Sequence, residues 1–158
     1  LLSQVHDLDA AYALFGTPRR VFAIGGHLSD LEVDVEDTAS VLMEAVVEGR
    51  PVPVHVHQDY LQRPPRRTYE VIGEEGRITL DFGGLTIERV DTGGRVAEAH
   101  SFAGLERNQL FLDELKHFLA CVRGDETPLV SARDARHSLR MALAARTSLE
   151  TGRVMEFA

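Results

Sequence analysis

The most constraining feature of this sequence is the stretch from Arg67 to Phe102, which reads "RTYEVIG", "EEGR", "ITLDF", "GG", "LTIERV", "DTGG" and "RVAEAHSF". Segments this short, rich in Val, Ile, Thr and Tyr and separated by brief glycine turns, leave no room for helical crossovers. A parallel pairing needs a connection of about a dozen residues or more, so these segments fold back as antiparallel hairpins.

Strand-like segments also precede the meander. "RVFAIGG" (Arg20 to Gly26) is rich in sheet formers. In "TASVLMEAVV", Ala39, Val41, Met43 and Ala45 make one wholly apolar face, which places the strand against a core. After Gly49 and Pro51, Val54, Val56, Gln58 and Tyr60 alternate with His55, His57, Asp59 and Leu61, and Pro53 puts the start of this strand at a sheet edge or outside the ladder. Leu42 and Val46 with Ser40 and Glu44, and Val54, Val56 and Tyr60 with Gln58, are read as a mixed outer face suited to covering by another sheet or domain. The plainer reading of that face is ordinary scattered surface hydrophobes.

Helical spacing brackets the strands. Leu8, Ala11, Tyr12 and Phe15 share a face in Asp7 to Phe15, and Gly16, Thr17 and Pro18 stop the helix. Beyond the meander the period changes: "RNQLFLDELKHFLACVRG" spaces Leu110 or Phe111, Leu115, Phe118, Leu119 and Val122 helically, with Asn108 as expected cap and Gly124 as its end. Ser131 and Asp134 form an S-x-x-D signature opening a further helix that runs to Gly152, and "RVMEFA" reads as a short last strand. The expected fold is therefore α+β, a large, open, predominantly antiparallel sheet with helices packed on one face, and residues 1–158 form a single domain.

Charge narrows the partners. The 158 residues hold 17 basic and 25 acidic side chains, a net charge of −8, with no basic block longer than Arg19-Arg20 and Arg66-Arg67. Such a surface repels a nucleic-acid backbone. No apolar run reaches membrane-spanning length, and "LLSQV" is too short and polar for a signal peptide. Cys121 is the only cysteine; its apolar-periodic setting reads as a core thiol, and the composition fits a reducing cytoplasm. No G-x-G-x-x-G follows a strand, so the chain itself carries no visible nucleotide site.

Three polar clusters could carry chemistry. His6, Asp7 and Asp9 combine a side chain that titrates near neutrality with carboxylates able to orient it, although acids in a first helical turn also favour the helix dipole. His55 and His57 share one strand face and could chelate a metal with Asp59 or His100, but a nearby glutamate ligand is absent and solvated or interfacial histidines are the simpler reading. "DYLQRPPRR" places Tyr60, Gln62, Arg63, Arg66 and Arg67 around a Pro-Pro turn, where guanidinium groups could grip an anion or merely protect a sheet edge. Lys116 and His117 are read as part of a solvated helix stripe.

The order of these elements, with "LLSQVHDLDAAYALFG", "VDVEDTASVLM", "DYLQRP", "YEVIGEEGRITLDF", "FLDELKHFLACVRGDETPLVSARDA" and "ALAARTSLETGRVMEF", resembles the C-terminal domain of the glucose-fructose oxidoreductase / inositol dehydrogenase / rhizopine catabolism (Gfo/Idh/MocA) family. The resemblance implies a longer two-domain protein whose N-terminal Rossmann domain binds NAD or NADP, with this chain supplying substrate contacts and homo-oligomer contacts through its open sheet. The first string is similar to the family's H-x-x-D helix with the preceding glycines cut away, so the expectation is that the nucleotide domain lies upstream of Leu1. His6 then matches the His that contacts or protonates the reacting oxygen of a sugar, cyclitol or related polyol, and Asp9 matches the motif's Asp. The partnering lysine belongs to the nucleotide domain, and Leu2 stands where many members carry an Asp. On this reading His6 is catalytic, Asp9, Tyr60, Gln62, Arg63 and Arg67 bind substrate, and the chain alone is inactive and holds no cofactor. The alternative is a stand-alone binding or scaffold module that assembles through its sheet.

Overall fold

The structure, a computed structural model, describes residues 1 and 5–157. In chain order its elements are α1 (Val5–Phe15), β1 (Arg20–Gly26), β2 (Thr38–Val47), β3 (Arg50–Asp59), β4 (Thr68–Gly73), β5 (Gly76–Asp81), β6 (Thr86–Asp91), β7 (Val96–Ser101), α2 (Arg107–Arg123), α3 (Ala132–Thr151) and β8 (Met155–Glu156). The fold is α+β and its sheets are open and antiparallel, as expected. The strands are divided between two four-stranded sheets, β3-β2-β1-β8 and β4-β5-β6-β7. The chain correspondingly forms two compact units, Leu1–Leu61 with Leu129–Ala158, and Gln62–Pro128.

In the first unit, the apolar face read from β2 is the centre of the core. Ala39, Val41 and Met43 are buried in one cluster with Val21 and Ala23 of β1, Leu8 and Ala11 of α1, and Met141, Ala142 and Ala145 of α3, and Ala45 is buried on the same face of β2. Both helices therefore cover the same side of the sheet. Ser148 of α3 fastens that layer by accepting from the Ala23 amide at 2.9 Å and donating to the Arg153 carbonyl at 2.6 Å.

The register corrects one expectation. Val41 pairs with Val56, Met43 with Val54 and Ala39 with Gln58, so Val54, Val56 and Gln58 lie on the core side, not the outer face. The outer face carries instead Phe22, Ile24, Ser40, Leu42, His55 and His57, with Ile24 and Leu42 61% and 53% exposed. Alternation alone separates two sets of residues; only the partner strand decides which set faces inward.

Sheet termination at β3 has a backbone cause. The Arg19 amide donates to the Glu44 carbonyl at 2.7 Å, so the Glu44 backbone faces β1. Its partner across the other side, Pro53, and Pro51 two residues before, therefore turn their nitrogens to the free edge of β3, where proline has no hydrogen to donate.

The second unit is the expected meander, three successive hairpins pairing β4 with β5, β5 with β6 and β6 with β7. The helix α2 begins two residues earlier than a cap at Asn108 implies, with Glu106 as cap residue and no side-chain cap bond, and Gly124 ends it in the left-handed conformation. Its apolar positions Leu110, Phe111, Leu115, Phe118 and Val122 are exposed. In α3 the Ser131–Asp134 capping box is present in full.

Candidate functional site

The start of α1 carries the expected residues His6 and Asp9. His6 is exposed there, while Leu8, two residues on, is fully buried in the core. Asp7 and Asp9 are half-buried and each is held from outside the helix. Gln58 of β3 donates through Nε2 to Asp7 Oδ2 at 3.0 Å, and Ser138 of α3 donates its hydroxyl hydrogen to Asp9 Oδ1. Both partners are buried, Ser138 at 4% and Gln58 at 6% exposure. One helical turn further, Tyr12 stacks on His137 of α3 with ring centroids 4.9 Å apart.

Gln58 and Ser138 were not singled out by sequence reasoning. Gln58 stands in a valine strand on the core face, and a buried amide among aliphatic neighbours is the signal that could have drawn attention to it. Ser138 has no local signature; only the docking of α3 on α1 gives it a partner.

Beside this turn, a shallow depression is lined by Leu1, Glu36, Asp37, Thr38, Ala39, Gln58 and Asp59. Asp37 organises its rim. Its carboxylate accepts from the Leu28 amide at 3.0 Å, the Ser29 amide at 3.0 Å and the Ser29 hydroxyl at 2.6 Å. These bonds, the Ser29 hydroxyl foremost, hold the Asp37 carboxyl down at about 2 against the opposing effect of burial. Tyr60, an expected substrate residue, is half-buried at the end of β3, with its amide on the Asp37 carbonyl at 2.9 Å.

The other expected substrate residues, Gln62, Arg63 and Arg67, are exposed and belong to the second unit. Arg63 Nη1 donates to the Gln62 carbonyl at 2.9 Å, and the Arg63–Pro64 peptide is cis. Arg67 lies over the Phe82 ring, 4.5 Å from its centroid, and donates to the Tyr69 hydroxyl at 2.6 Å. Tyr69 and Phe82 meet edge to face at 5.1 Å, which presents Arg67 as a guanidinium fixed on an aromatic pair.

The two histidines of β3 are organised differently from a chelate. His57 Nδ1 lies 2.8 Å from Ser40 Oγ and its Nε2 3.3 Å from Asp59 Oδ2, while the His55 and His57 centroids are 6.5 Å apart. His100 pairs with Glu98 at 2.8 Å within the second unit. Among the described residues no three His, Cys, Asp or Glu side chains converge on a metal position. Cys121, expected in a core, is half-exposed; its Sγ is 3.6 Å from His117 Nε2, and His117 Nδ1 is 2.5 Å from Glu126 Oε2. His117 is therefore engaged on both ring nitrogens, not part of an idle solvated stripe.

The glycine turns at 73–76, 83–84 and 93–94 each join antiparallel strands, so none opens a helix whose N-terminal amides could receive a pyrophosphate. No helix among the described residues is long and apolar enough to cross a membrane.

Comparison with known proteins agrees with this architecture. Residues 3–79 match the family model described as GFO/IDH/MocA C-terminal domain. The chain is 33% identical over 162 residues to a myo-inositol 2-dehydrogenase of Thermotoga maritima, an alignment covering 94% of this chain and 46% of the relative. It thus spans about half the length of the curated relative it matches. Among solved structures, a probable dehydrogenase from Thermotoga maritima superposes with a TM-score of 0.65 at 30% identity, over 96% of this chain and 47% of that one. The WlbA dehydrogenase of Bordetella pertussis, solved with NADH and UDP-GlcNAcA, shares the fold at a TM-score of 0.72 and 19% identity, over 99% of this chain and 44% of the other.

Proposed function

Because this chain belongs to the Gfo/Idh/MocA C-terminal domain family, we propose that it is the substrate-binding and oligomerisation half of an NAD(P)-dependent oxidoreductase acting on a sugar, cyclitol or related polyol. The observation that carries the reading is His6, exposed on a helix turn braced from two sides in a chain that aligns along 94% of its length with part of a myo-inositol 2-dehydrogenase. A nicotinamide bound by a separate nucleotide-binding domain would supply the hydride chemistry, and this chain's residues would position the substrate and move its proton. His6 exchanges a proton with the substrate oxygen, a task suited to an imidazole near neutral pH. Asp9 and Tyr60 are the substrate-binding residues of the first unit; Gln62, Arg63 and Arg67 belong to the second unit and are candidates for an anionic group there.

The test is turnover by the full-length protein with myo-inositol and other polyols, followed as NAD or NADP reduction. Replacing His6 by Ala is expected to lower kcat by about 10²- to 10⁴-fold, the usual worth of a general acid-base group. Cofactor-dependent polyol oxidation by the 158-residue chain alone, or full activity of His6→Ala, overturns the reading.

We propose the outer face of the first sheet as the oligomer contact, on the exposure of Ile24 and Leu42 with Phe22 between His-bearing and charged neighbours. Leu42→Asp should reduce the assembled mass measured by light scattering; an unchanged mass assigns the contact elsewhere.

A further inference from the structure

We infer that Gln58 and Ser138 are positioning residues for His6, acting as a two-sided clamp that fixes the rotation of α1 about its own axis. The inference rests on the proposed role of His6 and adds the residues that aim it. Successive residues of a helix are turned about 100° from one another. Asp7 therefore lies on one flank of His6, Asp9 on the other flank, and Leu8 on the opposite side.

All three are fixed by different neighbours. Leu8 is fully buried among the core residues, Asp7 is bonded to Gln58 on β3, and Asp9 is bonded to Ser138 on α3. A helix held only by Leu8, Ala11 and partly buried Tyr12 could roll on its apolar stripe at modest cost. Rolling either way in this structure breaks one of the two flanking bonds and strands a buried hydroxyl or amide without its acceptor. The exposed ring of His6 has no need of its own anchor, because the backbone that carries it cannot turn.

Neither Gln58 nor Ser138 takes part in proton transfer on this account. Each acts through a carboxylate that neighbours His6, so losing one should misplace the imidazole and shift that negative charge relative to it, without removing the group that exchanges the proton. Misplacement of a reacting group by about 1 Å costs on the order of 10²-fold in rate.

The experiment uses the full-length protein with myo-inositol as probe substrate, and measures kcat, KM and the pH profile for Ser138→Ala, Gln58→Leu, Ser138→Thr and His6→Ala. Expected is a loss of about 10-fold or more in kcat and a displaced pH profile for Ser138→Ala and for Gln58→Leu, with KM changed less than about 3-fold for Gln58→Leu, whose partner Asp7 is not among the proposed substrate-binding residues. Ser138→Thr, which keeps the hydroxyl, should restore most of the rate. Gln58 lies on a different element from Ser138, so a folding failure of one variant leaves the other to decide. If His6→Ala abolishes turnover while Ser138→Ala and Gln58→Leu keep wild-type kcat and pH profile, the clamp is wrong and the role of His6 stands. If His6→Ala is fully active, the role of His6 falls and the clamp with it. Equal losses in Ser138→Ala and Ser138→Thr, with the pH profile unmoved, would make Ser138 a packing residue only.

Discussion

Ser138 donates its hydroxyl hydrogen to Asp9, joining two helices whose bonded residues are 129 positions apart. The bond ties the last helix of the chain to the first turn that carries His6, across the same face of one sheet. It belongs to a layer whose aliphatic residues come from every main element of the first unit.

Leu8→Ala removes a fully buried side chain from the centre of that layer. The loss of burial together with the cavity it leaves should cost about 2–5 kcal/mol. A lower urea midpoint at unchanged m-value is the expected result; a change below about 1 kcal/mol would mean that α1 contributes little to the core.

Asp37 gives stability a defined acid limit. Its folded-state value of about 2 lies below the ordinary aspartate value of 3.8. A depressed carboxyl stabilises the fold fully above the unfolded value, and that contribution is lost as pH falls from about 4 through about 2. Urea midpoints of wild type and Asp37→Asn should therefore differ most at neutral pH and converge towards pH 2; a constant difference would contradict the assignment.

Ser131 opens α3 with a reciprocal box: its hydroxyl accepts from the Asp134 amide at 3.2 Å, and Asp134 Oδ2 accepts from the Ser131 amide at 3.0 Å. Ser131→Ala should destabilise by about 1 kcal/mol, and Ser131→Asp should recover part of it. Chemical denaturation of the three forms checks the order.

Gly25 in β1 has φ +148°, and a Cβ there would stand 2.1 Å from the Thr38 carbonyl oxygen. Both the backbone angle and the contact oppose any side chain, and the obstructing atom is main chain of the neighbouring strand. Gly25→Ala should cost on the order of 1–3 kcal/mol from the backbone strain alone. Amide exchange should quicken along β1 and β2; protection equal to wild type would show that the strands part without penalty.

Local chemistry made much of this legible. The span of β1, the meander and the Ser131 box rest on alternation, glycine turns and a four-residue capping pattern, all contained in short windows. The placement of His6 and Asp9 at the start of a helix was also legible, because a helix start and its polar residues are neighbours in sequence. What lies outside any window was lost. The inward turn of Val54 and Val56 depends on which residues of β2 they oppose, and the Asp7–Gln58 and Asp9–Ser138 bonds join residues 51 and 129 positions apart. The division into two sheets is a further case: alternation continues past β3, but Pro51 and Pro53 close its free edge, and β4 begins a separate ladder. The exposure of Cys121 belongs here as well, since helical spacing identifies an apolar stripe without supplying anything to cover it.

The prolines of β3 also govern how copies of this chain can accumulate. An open sheet edge is a template on which strands can stack indefinitely, one main chain copying the next. At this edge two of the outward-facing positions lack the hydrogen such copying requires. Main-chain copying is interrupted at Pro51 and Pro53, so a strand adding at this edge cannot form a ladder along the whole of β3.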